Sequence, residues 1–114
     1  KLLVYSLNVE TNVKLSKLLP KEYYLINYGT FAELINNGIN KATGIRQVLD
    51  HFGGKIEDSI AIGDSMNDLE MLKEAGIGIA MGNANDIVKA HADVVAPHIL
   101  EDGIYRVLEE LKII

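Results

Sequence analysis

The sequence predicts an α/β fold: a doubly wound, Rossmann-like parallel sheet with flanking helices, preceded by a smaller β-α-β-β segment. Three observations carry this. Short apolar runs at Ser59 to Ile62, Ile77 to Ala80 and Asp93 to Ala96 alternate with helical segments Met66 to Ala75 and Ala84 to His91, the pattern of buried parallel strands joined by crossover helices. Two amphipathic helices bracket that region. Residues ahead of Asn40 instead combine period-two alternation with turn residues and aromatic runs, the signature of an antiparallel hairpin.

In chain order, Leu3, Tyr5, Leu7 and Val9 alternate with Val4, Ser6 and Asn8, which predicts a half-buried strand. Asn12 then precedes a short helical patch carrying Val13, Leu18 and Leu19, and Pro20 ends it. Glu22 to Tyr28 and Thr30 to Asn36, parted at Gly29, read as two strands, with a second turn at Asn37-Gly38. Ile45, Val48, Leu49 and Phe52 fall at i, i+3, i+4 and i+7 behind Asn40, a good N-cap, and Gly53-Gly54 stops that helix. Ile104, Val107, Leu108 and Leu111 repeat the spacing behind Glu101 and Asp102, acids suited to a helix N-terminus. The change of pattern near Gly38 to Asn40 divides the chain into residues 1–38 and 39–114.

Composition narrows the function classes. With 114 residues, 48% apolar and 24% charged, the chain is an ordinary globular sequence, and it has no Cys to form a disulfide scaffold. The net charge is -5 and the 11 Lys and Arg are scattered, so there is no electrostatic footprint for nucleic acid or an anionic membrane. No apolar run approaches the roughly 20 residues that cross a bilayer, and no signal-peptide pattern opens the chain, so a cytoplasmic setting is expected. There is no P-loop, G-x-S-x-G, G-x-G-x-x-G or EF-hand loop.

Chemistry concentrates in Gly63-Asp64-Ser65-Met66-Asn67-Asp68, where a predicted strand ends and a helix begins. In open α/β sheets that carboxyl edge is where ligands bind. Asp64 at the strand tip and Asp68 in the first helical turn can approach one point. At about 5 Å and an effective dielectric of about 20, two carboxylates repel by roughly 3 kcal/mol, and a hard divalent cation reverses that sign. Ser65-x-x-Asp68 also fits a capping box, so Asp68 has a purely structural reading as well. Lys41 occupies the first turn of its helix, where a cation opposes the macrodipole. It is either a solvated lysine or, together with the helix N-terminus, a holder of an anion such as phosphate. Asn83 reads as a helix cap through Asn-x-x-Asp86, and His51, His91 and His98 share no metal-like spacing and read as surface residues.

Four blocks, Asn40-Lys41-Ala42-Thr43-Gly44-Ile45, Ile62 to Leu72, Ile79-Ala80-Met81-Gly82-Asn83-Ala84 and Glu101-Asp102-Gly103-Ile104, together resemble the haloacid dehalogenase superfamily. More narrowly, they are similar to its Cof-type sugar-phosphate phosphatases. The resemblance covers Asn40 to Leu111 closely, and residues 1–38 look like the last β-α-β-β portion of the cap inserted in that subclass. It implies a Mg²⁺-dependent phosphate-monoester hydrolase that works through an aspartyl phosphate. By resemblance, Asp64 is a Mg²⁺ ligand, Asp68 a second ligand or holder of metal-bound water, Lys41 the cation on phosphate and nucleophile, and Asn67 a support for phosphate or the metal shell. The substrate implied is a small phosphorylated metabolite, such as a sugar phosphate or a phosphoglycolate-like compound.

The family's nucleophile motif, Asp-x-Asp, occurs nowhere in the sequence, and neither does its phosphate-binding Ser or Thr motif. The expectation is therefore a C-terminal portion of a longer protein, inactive alone and either self-associating or needing an upstream segment. The alternative is a non-catalytic metal- or phosphate-binding module derived from the same fold.

Overall fold

A computed structural model describes residues 2–5 and 8–114; Ser6 and Leu7 of the first predicted strand lie outside the described residues. The chain divides into two compact units, Lys1–Asn40 and Lys41–Ile114.

In the first unit β1 (Leu2–Tyr5), α1 (Val9–Leu18), β2 (Tyr23–Asn27) and β3 (Phe31–Asn36) form the predicted β-α-β-β order. The sheet runs β1-β3-β2 with both pairings antiparallel, Tyr5 opposite Phe31 and Asn27 opposite Ala32. The helix starts earlier than the alternation predicts. Val9 is helical because Asn8 caps α1, its Oδ1 accepting the Thr11 N–H at 2.9 Å, with Glu10 in the first turn. Asn12 consequently lies inside the helix, 1% exposed. Its Nδ2 donates to Asn27 Oδ1 and to the Gly29 carbonyl, both at 3.0 Å, which ties α1 to the hairpin turn. The expected half-buried strand is also more open than predicted, with Leu2, Leu3 and Tyr5 all exposed.

The second unit contains α2 (Lys41–Phe52), β4 (Ile60–Gly63), α3 (Leu69–Glu74), β5 (Ile77–Ala80), α4 (Asp86–Lys89), β6 (Val94–Val95) and α5 (Gly103–Glu110). Its strands pair in parallel in the order β4-β5-β6, with Ile62 opposite Ile79 and Ala80 opposite Val95. Because strand side chains alternate faces, two cores form. Ala61 and Ala80 pack with Leu72, Ala84 and Val88 from the α3 and α4 side. Ile79 and Met81 pack with Ala96 and Val107 from the α5 side. Helices on both faces are what near-continuous apolar strands require.

Three local details differ from the sequence reading. The helix predicted over Met66 to Ala75 opens as a 3₁₀ turn, Met66–Asp68, before α3 begins. Asn85, not Asn83, caps α4, its Oδ1 accepting the Val88 N–H at 3.0 Å. The α2 stripe is not buried: Ala42 is the buried residue of that helix, Val48 is 57% and Phe52 79% exposed, and Ile45, Val48 and Leu49 line an open apolar groove of about 560 Å³ with Met71.

Candidate active site

The acidic loop leaves the carboxyl end of β4, and its geometry follows from one close contact. A Cβ on Gly63 would lie 2.5 Å from the Asp68 Cβ and 2.8 Å from its Oδ2, so glycine is the residue that lets the Asp68 side chain fold back over the strand end. Asp68 is 3% exposed. Its Oδ2 accepts the backbone N–H groups of Asp64 and Ser65, each at 3.0 Å, while Oδ1 accepts from the Lys41 ammonium in an ion pair. The capping reading of Asp68 describes part of this geometry, and the lysine is a partner that neither sequence reading named. Asp68 organises the turn through backbone amides, as a capping acid does, and it also receives the lysine.

Burial pushes the Asp68 carboxyl up, but the Lys41 hydrogen bond, the Ser65 and Asp64 amides and the lysine's charge outweigh it and hold the group below its ordinary value of 3.8. Lys41 is the first residue of α2 and its side chain is half exposed, at 51%. A cation there opposes the helix dipole, and the buried carboxylate opposite compensates. The ammonium is thereby fixed at one end of the loop with a face left to solvent.

Asp64 is exposed, in contrast to Asp68. Ser65 Oγ donates to its Oδ1 at 3.0 Å and Asn83 Nδ2 to its Oδ2 at 3.3 Å. A carboxylate offers about four lone-pair positions, so each Asp64 oxygen keeps acceptor capacity. Asn67 sits in the same 3₁₀ turn, half-buried. The structure thus brings Lys41, Asp64, Asn67 and Asp68 to one sheet edge. Sequence reasoning missed Gly63 and Asn83 as parts of this site. Gly63 is visible in sequence only as a strand-end glycine, and Asn83 carries a capping signal that belongs in space to Asn85.

These donors fit a hard cation of the Mg²⁺ type as a partial set. Asp64 is exposed and each of its oxygens accepts one hydrogen bond and keeps acceptor capacity, whereas the buried Asp68 carboxylate is taken up by two backbone amides and the Lys41 ammonium. Among the described residues no group of three or more His, Cys, Asp or Glu could hold a metal ion by itself. Mg²⁺ commonly takes one or two carboxylates and completes its shell with water and substrate phosphate, which is compatible with this arrangement.

Of the three histidines, His51 and His91 are exposed, but His98 is half-buried and structural. Its Nδ1 accepts the Leu100 N–H at 3.2 Å and its own N–H donates to Glu101 at 3.2 Å, opening a 3₁₀ turn over Ile99–Glu101. Asp102, read as an acid suited to the α5 N-terminus, makes no side-chain cap bond there and adopts a left-handed conformation at φ 55.

Fold and site define a doubly wound α/β unit with a lysine and an acidic loop at the carboxyl edge of its sheet. A family model described as haloacid dehalogenase-like hydrolase matches residues 3–108, and the chain belongs to that family. It is 48% identical over 71 residues, 62% of this chain, to a 5-amino-6-(5-phospho-D-ribitylamino)uracil phosphatase of Bacillus subtilis. It is 32% identical over 105 residues, 92% of this chain, to a phosphoglycolate phosphatase of Methanosarcina acetivorans. Among solved structures, a subclass IIB sugar phosphatase of the superfamily superposes with a TM-score of 0.85 at 37% identity, covering 94% of this chain and 41% of that one. The chain spans 28% and 46% of the lengths of the two relatives. Among the described residues no helix is long and apolar enough to cross a membrane.

Proposed function

We propose that this chain supplies the lysine and the acidic metal loop of a Mg²⁺-dependent phosphate-monoester hydrolase acting on a small phosphorylated metabolite. The observation that carries this reading is the Lys41–Asp68 ion pair, anchored by two backbone amides, beside the exposed Asp64 at the carboxyl edge of a parallel sheet. Membership of a phosphatase-rich family and relatives named for phosphorylated metabolites support it.

Asp64 presents carboxylate oxygens to the metal. Asp68 fixes the position of Lys41 and the path of the loop, so that neither moves when charge develops on the phosphoryl group. Lys41 turns the open side of its ammonium toward the phosphate oxygens, and Asn67, on the same turn, adds an uncharged amide to the phosphate shell. Mg²⁺, when bound, neutralises phosphoryl charge and orients its oxygens. Preorganised cations of this kind are the main source of rate in phosphoryl transfer. The attacking carboxylate is not assigned to a residue of this chain. Residues 1–38 serve as the end of a cap that selects the leaving group, and residues 39–114 as part of the catalytic core.

The test is turnover of phosphate monoesters by the full-length protein with Mg²⁺. Asp64→Asn is expected to abolish most activity and to raise the Mg²⁺ requirement. Normal turnover in a folded Asp64→Asn variant overturns the assignment. Tight phosphate or metal binding without turnover in the wild type would identify a binding module instead.

A further inference from the structure

Asn83 lies outside the acidic loop, and its sequence pattern assigns it to a helix cap that Asn85 in fact makes. Its two amide ends are both used elsewhere. Nδ2 donates to Asp64 Oδ2 at 3.3 Å, and Oδ1 accepts the backbone N–H of Ile99 at 3.3 Å. This joins the loop after β5 to the segment that follows β6, and backbone packing holds the two together independently. The Gly82 N–H donates to the Pro97 carbonyl at 3.2 Å, and a Cβ on Gly82 would lie 2.7 Å from the His98 nitrogen. Asn83 is therefore carried on a turn with little freedom to shift.

We infer that Asn83 is a positioning residue: it orients the Asp64 carboxylate for the cation, and the Ile99 amide in turn fixes the orientation of Asn83. The chemistry requires a side chain with a donor at one end and an acceptor at the other. Once Oδ1 is held by Ile99, the amide nitrogen faces Asp64 and occupies one lone pair of Oδ2, while acceptor capacity remains on both oxygens. Held by the neighbouring Ser65 Oγ alone, the exposed Asp64 side chain would sample more rotamers and lose more entropy on binding metal. Partners that orient a metal-binding carboxylate in this way typically contribute about 10- to 100-fold in metal affinity. The inference rests on the proposed role of Asp64, so the experiment separates the two.

Affinity for Mn²⁺, used as a paramagnetic stand-in for Mg²⁺, is measured by electron paramagnetic resonance on the folded full-length protein without substrate. Asp64→Asn is the control for the site. If that variant binds Mn²⁺ like the wild type, the proposed function fails and the inference falls with it. If Asp64→Asn weakens binding, Asn83→Ala is expected to weaken it by about 10-fold or more, with its melting temperature near that of the wild type. Wild-type affinity in folded Asn83→Ala overturns the inference and leaves the proposed function standing. Ile99→Pro provides a second route should Asn83→Ala fail to fold. It removes the clamping N–H at the first position of a 3₁₀ turn, where proline is tolerated, after an extended His98. By itself it should weaken Mn²⁺ in the same direction, and where Asn83→Ala does fold, adding Ile99→Pro to it should have no further effect. An unchanged affinity in Ile99→Pro, or a full additive loss in the double variant, overturns the relay from Ile99.

Discussion

Lys41 shows how a residue that violates a local rule acquires its reason in space. Judged by the helix dipole alone, Lys41→Ala should hold or slightly raise stability. The ion pair with a 3% exposed carboxylate reverses that sign, because its loss leaves Asp68 with backbone amides as its remaining compensation. Since the lysine is half exposed, the expected cost is modest, about 1 kcal/mol or less, read from urea unfolding midpoints. Turnover of the full-length protein should fall by about 10² or more, the scale of removing one strong electrostatic stabiliser. A variant that loses several kcal/mol while each folded molecule keeps its activity would make Lys41 structural. Asp68 adds a pH signature. Its carboxyl is depressed below 3.8 in the folded chain, so its contribution is fully present above that value and is lost as pH falls through the lower, folded one. The stability gap between wild type and Asp68→Asn should therefore be constant near neutrality and narrow only below about pH 3.8. A gap that closes between pH 5 and 7 would contradict the assignment.

At the scale of elements, the loops decide more than the helices. The helix α4 is four residues long, Asp86–Lys89, too short to stand on its own hydrogen bonds, so its cap matters. Asn85→Ala should cost about 1 kcal/mol, whereas Asn83→Ala should stay within about 0.5 kcal/mol because its two 3.3 Å hydrogen bonds are made at an exposed position and it does not cap α4. Thermal unfolding of the two variants compares them directly, and the reverse order would return the capping role to Asn83. The acidic turn follows the same logic. A 3₁₀ start at Met66–Asp68 holds Asp68 under the loop, where its oxygens meet the Asp64 and Ser65 amides. An uninterrupted α-helix from Met66 is what the apolar periodicity alone describes.

For the molecule as a whole, the site belongs to the Lys41–Ile114 unit, which supplies Lys41, Asp64, Asn67, Asp68 and Asn83. Cation binding should therefore register as stabilisation of that unit. At Mg²⁺ concentrations about 100 times its dissociation constant, the expected gain is about 2.7 kcal/mol, seen as a rise in the melting temperature of the corresponding transition. Chelator should reverse it, and Asp64→Asn should abolish it. A rise that survives Asp64→Asn would place the cation elsewhere. The antiparallel sheet belongs to the other compact unit, Lys1–Asn40. Its anchor is the buried Asn12 amide, which spans α1 and the β2–β3 turn.

The sequence by itself determined the fold class, the order of the strands and long helices, the position of the acidic loop at a strand's carboxyl end, and Lys41, Asp64 and Asp68 as site candidates, with Asn67 added by the family resemblance. The pattern-based part rests on local properties: apolar period, turn chemistry, the acids at one strand-to-helix junction and a cation in a helix's first turn. It misplaced the start of α1, because Leu3 to Val9 alternates like a strand and Asn8 and Asn12 offer equivalent caps until one of them is buried. It could not choose between the capping and metal-binding readings of Asp68, since both ask for an acid at the same strand-to-helix junction. Only the tertiary structure decided that Asp68 accepts the loop amides and pairs with Lys41, that Gly63 leaves the space for it, and that Asn83 faces Asp64. Each of those facts depends on segments far apart in sequence, residue 41 with 68, 64 with 83 and 83 with 99, brought together by the parallel pairing of β4, β5 and β6.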